Sequence, residues 1–140
     1  MRNGNSRVGA AGMAAFFIAA MGTSALNAQQ TPSAPAPKIT PAMKQDLETP
    51  GKEGVMSFVE FAPGAAEVPH SHPAELFVFV REGEVSLESE GKPTTTYKVG
   101  EVFYVAPGKI HRVSNNTGAT SRTVAVFFTE KGKPLTTPAK

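Results

Sequence analysis

From Gly54 onward, apolar and polar residues fall in short runs that glycine, proline and asparagine break at regular intervals. No window of helical length places apolar residues three and four apart, so the pattern predicts β-strands and no helix. Val55 to Phe61 is rich in β-branched and aromatic residues and ends at Pro63-Gly64. Leu76 to Val80 is an uninterrupted apolar run, as expected of a strand buried on both faces, and Glu82-Gly83 turns it. Glu84 to Ser89 alternates, with Val85 and Leu87 on one side and Glu84, Ser86 and Glu88 on the other, which gives this strand one wet face. Turns at Gly91-Lys92-Pro93, Gly100-Glu101, Ala106-Pro107-Gly108 and Asn115 to Gly118 separate further strands over Thr94 to Val99, Val102 to Val105, Ile110 to Ser114 and Thr120 to Thr129. Seven or eight short strands at this spacing predict an all-β sandwich or closed barrel.

The flanks carry no such pattern. Residues 1–28 have the three parts of an export signal: a basic start at Arg2 and Arg7, an apolar stretch from Val8 to Met21, and small residues leading to Ala28. That stretch is too short and alanine-rich to be a comfortable membrane span, so the expectation is a periplasmic or secreted protein with no span once the signal is removed. Residues 29–53, opening with Thr31-Pro-Ser-Ala-Pro-Ala-Pro37, contain few large apolar side chains and read as a spacer, with one helical turn over Met43 to Leu47. One small domain is expected over residues 54–131, followed by a polar surface tail over 132–140. A core of that length is near the lower limit for self-sufficiency, which points to a homodimer.

Charge narrows the choice of partners. Of 14 basic residues, two lie in the signal and no acid does, leaving 12 bases against 12 acids in residues 29–140. A neutral chain without a basic stripe gives no footing for nucleic acid. The sequence has no cysteine, so no disulfide staples the exported domain.

The chain has three histidines, His70, His72 and His111, each beside a turn. His70 and His72 are two apart, so on an extended backbone both rings project to one side, where they could grip one metal ion. His111 follows Pro107-Gly108, a turn that would return a later strand beside the pair. The competing reading is three unrelated surface or core histidines. A shared site accounts better for three that are grouped with no others elsewhere. Imidazole ligands suit Fe, Mn, Ni, Cu and Zn alike, so the cofactor expected is one divalent transition metal of unassigned identity. Protonation removes the lone pair, so affinity is expected to fall as pH drops through about 6.5.

With these residues in view, the chain resembles the cupin family, specifically small single-domain cupins of the conserved-barrel class. Gly64 precedes His70-Ser71-His72 by five residues, and Glu82-Gly83 closes the next strand. A second motif runs from Gly100 through Pro107-Gly108 to His111 and Asn115, with its proline one place later than usual. The resemblance implies a jelly-roll β-barrel with His70, His72 and His111 as metal ligands, and activities of the dioxygenase, isomerase or lyase kind on small organic molecules. It does not carry over the family's glutamate ligand, because Leu76 holds that position and Glu75 lies one residue early. By strand parity, residues 70, 72, 76, 78 and 80 share one side and Glu75 faces the other, unless a bulge at Pro73-Ala74 shifts the register. A three-histidine site leaves the ion its full double charge, so an anionic substrate or ligand is expected. Two functions remain open: a mononuclear oxidoreductase, and a non-catalytic module binding a metal or metabolite. No general base stands out, since Tyr104 reads as structural and Arg112 points away from His111.

Overall fold

The computed structural model of the protein describes residues 33–140. The export signal read at residues 1–28 lies outside the described residues. Ten strands and no helix are present among them: β1 (Lys38–Asp46), β2 (Lys52–Phe61), β3 (His70–Ser71), β4 (Ala74–Glu82), β5 (Glu84–Ser89), β6 (Thr95–Lys98), β7 (Val102–Val105), β8 (His111–Ser114), β9 (Ser121–Glu130) and β10 (Thr137–Pro138). They form two antiparallel five-stranded sheets, ordered β1-β2-β9-β4-β7 and β10-β3-β8-β5-β6. The inward residues of both sheets make one core, with Phe61, Val80 and Val85 fully enclosed. The all-β expectation holds.

Strand β4 departs from it in one respect. Leu76, Val78 and Val80 are buried as expected, but Phe77 and Phe79 alternate with them and are each 42% exposed. The apolar run therefore has one face in the core and one on the molecular surface.

Two segments read as accessory belong to the sheets. Residues 38–46, within the expected spacer, form β1 and pair along their length with β2, although every residue is exposed. An edge strand needs backbone partners more than a buried face, so its poor apolar content did not forbid it. Met43 lies in this strand and not in a helical turn; the register shift between Pro41 and Met43 accommodates the proline, which has no N–H to donate. At the other end, the expected surface tail contributes β10, which pairs with β3 at Ser71 and His70.

The motif residues without chemistry have structural work. Gly83 adopts φ 69°, and a Cβ there would approach Ser121 Oγ to 2.6 Å. That hydroxyl donates to the Glu84 carbonyl at 2.6 Å and accepts from the Glu84 N–H at 3.2 Å, so the corner between β4 and β5 is closed against β9. Asn115 is fully buried. Its Nδ2 donates to the carbonyls of Phe61, Ala62 and Ala119, and its Oδ1 accepts from the N–H and hydroxyl of Thr117. Backbone bonds Gly64 N–H to Asn115 O and Asn115 N–H to Ala65 O join the two motif corners.

Candidate metal centre

The fold brings the three histidines together. His70 in β3 is the register partner of His111 in β8. Just beyond β3, the His72 carbonyl accepts from the Gly108 N–H at 2.8 Å, so the Pro107-Gly108 turn of the second motif is tied to the histidine pair of the first. Ring centroids lie 4.5 Å (His70–His111), 4.7 Å (His70–His72) and 5.0 Å (His72–His111) apart. One nitrogen from each lies within 4.8 Å of the others, a grouping able to hold a metal ion.

Hydrogen bonding fixes which nitrogens converge. Nδ1 of His70 meets the Val68 carbonyl at 2.7 Å, Nδ1 of His72 meets the Leu135 carbonyl at 2.7 Å, and Nδ1 of His111 meets the Lys109 carbonyl at 3.0 Å. A carbonyl oxygen can only accept, so each Nδ1 carries the proton of the neutral ring and each Nε2 keeps its lone pair. His70 Nε2 and His72 Nε2 are 3.1 Å apart. Two lone pairs at that distance repel, and a cation shared between them turns repulsion into ligation. The donor set therefore fits the divalent transition ion expected from the sequence.

Burial tunes the same rings. Desolvation pushes His72 down to about 4, against a smaller upward effect of its bond to Leu135, and the neighbouring His70 and His111 add to the depression. His111 is likewise lowered, chiefly by desolvation.

The acid expected to be in doubt is placed clearly. Pairing of β4 with β9 runs without a break from Ala74 opposite Thr129 to Val80 opposite Thr123, so no bulge occurs at Pro73-Ala74. Leu76 lines the cavity, and Glu75 faces outward, where it accepts a hydrogen bond from the Tyr104 hydroxyl. That bond raises the Tyr104 phenol. Arg112 also points away from the site, paired with Glu88 at 2.5 Å.

Sequence reasoning missed a different carboxylate. Glu67 lines the cavity with the histidines and sits in the loop before β3. Its N–H donates to the Val113 carbonyl, and the Val113 N–H donates to its Oε2 at 3.0 Å. Desolvation raises its carboxyl above the ordinary range, while the charge of His70 and the Val113 N–H oppose the rise. The available signal was its place three residues before His70; outside a strand, alternation could not say where it pointed.

The cavity has a volume of about 480 Å³. Its floor is Phe61, Leu76, Val78 and Phe127, all buried, and exposed Ile39 and Val68 stand at its rim. Pro37 from the expected spacer, and Leu135 and Thr136 from the expected tail, complete the wall. Among the described residues no lysine or arginine lines it. The one carboxylate among its lining residues is that of Glu67.

Comparison with known proteins agrees with this architecture. A family model described as a Cupin domain matches residues 57–127. The chain belongs to the cupin family. Germin-like protein 1-1 of Oryza sativa subsp. japonica is 30% identical over 118 residues, covering 80% of this chain and 53% of that protein. Germin-like protein subfamily 2 member 2 of Arabidopsis thaliana is 34% identical over 49% of this chain and 34% of its own length. The chain thus spans between about a third and a half of these curated relatives. Among solved structures, a Klebsiella pneumoniae protein with a double-stranded β-helix domain superposes with a TM-score of 0.62 at 21% identity, covering 79% of this chain and 90% of that one. Oxalate oxidase in complex with the substrate analogue glycolate superposes with a TM-score of 0.60 at 24% identity, covering 74% of this chain and 55% of that one. At these identities the two structures share the barrel fold.

The stability of the metal-free fold depends on pH through the buried His72 ring. Its depressed His72 pKa contributes stability that is complete above about 6.5, the unfolded value, and is lost progressively as pH falls toward about 4. Urea midpoints measured across that interval should fall, and fall less in His72→Gln. An equal decline in both proteins would show that His72 is not the group responsible.

Proposed function

We propose that this chain is an exported mononuclear metalloenzyme of the dioxygenase or oxidoreductase type, acting on a small organic molecule. His70, His72 and His111 hold its one divalent transition metal. The observation that carries this reading is the engagement of all three Nδ1 atoms by backbone carbonyls, which leaves the Nε2 lone pairs free in three rings whose ligand nitrogens lie within 4.8 Å of one another. When bound, such an ion supplies Lewis-acid polarisation or redox chemistry at the positions the histidines leave free.

The chain's own residues supply the rest. Phe61, Leu76, Val78 and Phe127 wall the cavity with hydrocarbon. Glu67, anchored through Oε2, can take a proton from a ligand hydroxyl. This carboxylate favours the enzyme over the non-catalytic binding module, which needs the histidines but no acid or base. The likeness to oxalate oxidase supports the barrel and its class of site, while the apolar lining argues for a different substrate.

Metal analysis of purified protein should find one ion per chain, and His70→Ala with His111→Ala should lose it while circular dichroism remains β-type. Full loading of that double variant would refute the site. Oxygen uptake by the loaded protein against small catechols, diketones and thiols tests turnover; tight binding of such compounds with no uptake or product would favour the binding module.

Export belongs to the same proposal and rests on the succession of basic, apolar and small residues ending at Ala28. Fractionated native cells should yield a periplasmic or secreted protein beginning near Gln29. A cytoplasmic product that retains Met1 would overturn it.

A further inference from the structure

We propose that the cavity selects a neutral, largely apolar molecule bearing a hydroxyl, which Glu67 receives, and discriminates against small carboxylates. The proposal deepens the metal-centre reading and rests on it for one anchor only, the ion. The walls are hydrocarbon, and the polar groups are few: the three histidines, Glu67, and hydroxyls such as Thr123 and Thr136. A carboxylate entering here loses its hydration, meets no lysine or arginine among the described residues, and lies in the same cavity as a second carboxylate. A neutral hydroxyl meets the opposite situation. Glu67 Oε2 is occupied by the Val113 N–H, and Oε1 has no partner among the described residues, so it is able to accept.

Spacing supports a ligand that touches both anchors. Glu67 and the three histidines line one cavity, and Glu67 lies three residues before His70, so a single ligand can touch both. A volume of about 480 Å³ suits a molecule of one or two rings far better than a two-carbon diacid, which would leave most of the apolar wall uncovered.

A matched pair of probes isolates the choice. 2-Naphthol and 2-naphthoate share one apolar body and differ in a neutral hydroxyl against an anion. Titrated into the metal-free mature chain, naphthol should bind at least about tenfold more tightly. Glu67→Gln should shrink that preference to about threefold or less by relieving the repulsion of naphthoate, whereas Glu67→Asp should retain it. Naphthoate binding as tightly as naphthol, no binding of either, or an unchanged preference in Glu67→Gln would overturn the proposal. Zn²⁺ calorimetry without naphthol is read separately. Its failure would refute the metal centre while leaving the selectivity of the metal-free cavity measurable.

Discussion

The buried amide of Asn115 sets the frame within which the histidines meet. Its hydrogen bonds reach back to Phe61 and Ala62 at the end of β2 and forward to Thr117 and Ala119 before β9, so one side chain ties its own loop to a segment more than fifty residues earlier. The adjoining backbone bonds to Gly64 and Ala65 align the loop before β3 with β8. That alignment makes His70 and His111 register partners and places Glu67 against Val113. In a core this dry, an amide with every polar atom satisfied specifies one register, because any slip would strand several buried carbonyls without donors.

Much of this was legible in the sequence wherever strand parity applied. Alternation places Leu76 inward and Glu75 outward, and the pairing of β4 with β9, in step from Ala74 to Val80, realises that placement. The convergence of His70, His72 and His111 follows from two turns and a spacing of two. Parity is silent outside strands, which is why Glu67 escaped notice. Composition misled at both ends of the domain, for a related reason. β1 and β10 are held by backbone pairing at sheet edges, and backbone hydrogen bonds leave little mark on side-chain pattern. In the middle of β4, the run of apolar residues was visible but not which face would meet the core and which would be left uncovered.

The electrostatics of the site depend on burial more than on any single partner. Desolvation favours the neutral forms of His72 and His111, and the backbone carbonyls that accept from Nδ1 hold the rings in one tautomer. The rings are thus ready as ligands before any ion arrives. The same desolvation raises the Glu67 carboxyl, so burial moves base and acid toward their uncharged forms together. A polar constellation inside hydrocarbon walls is compatible with folding because each group either sheds its charge or finds a backbone partner.

The Leu135 carbonyl that orients His72 lies 63 residues further along the chain, and β10 beyond it braces the strand that carries His70. Two of the three rings are thus held in place by a segment that supplies no ligand of its own. A change confined to residues 135–138 would leave the sheets standing and still loosen the aim of the histidines, so the centre can be disarmed from outside it.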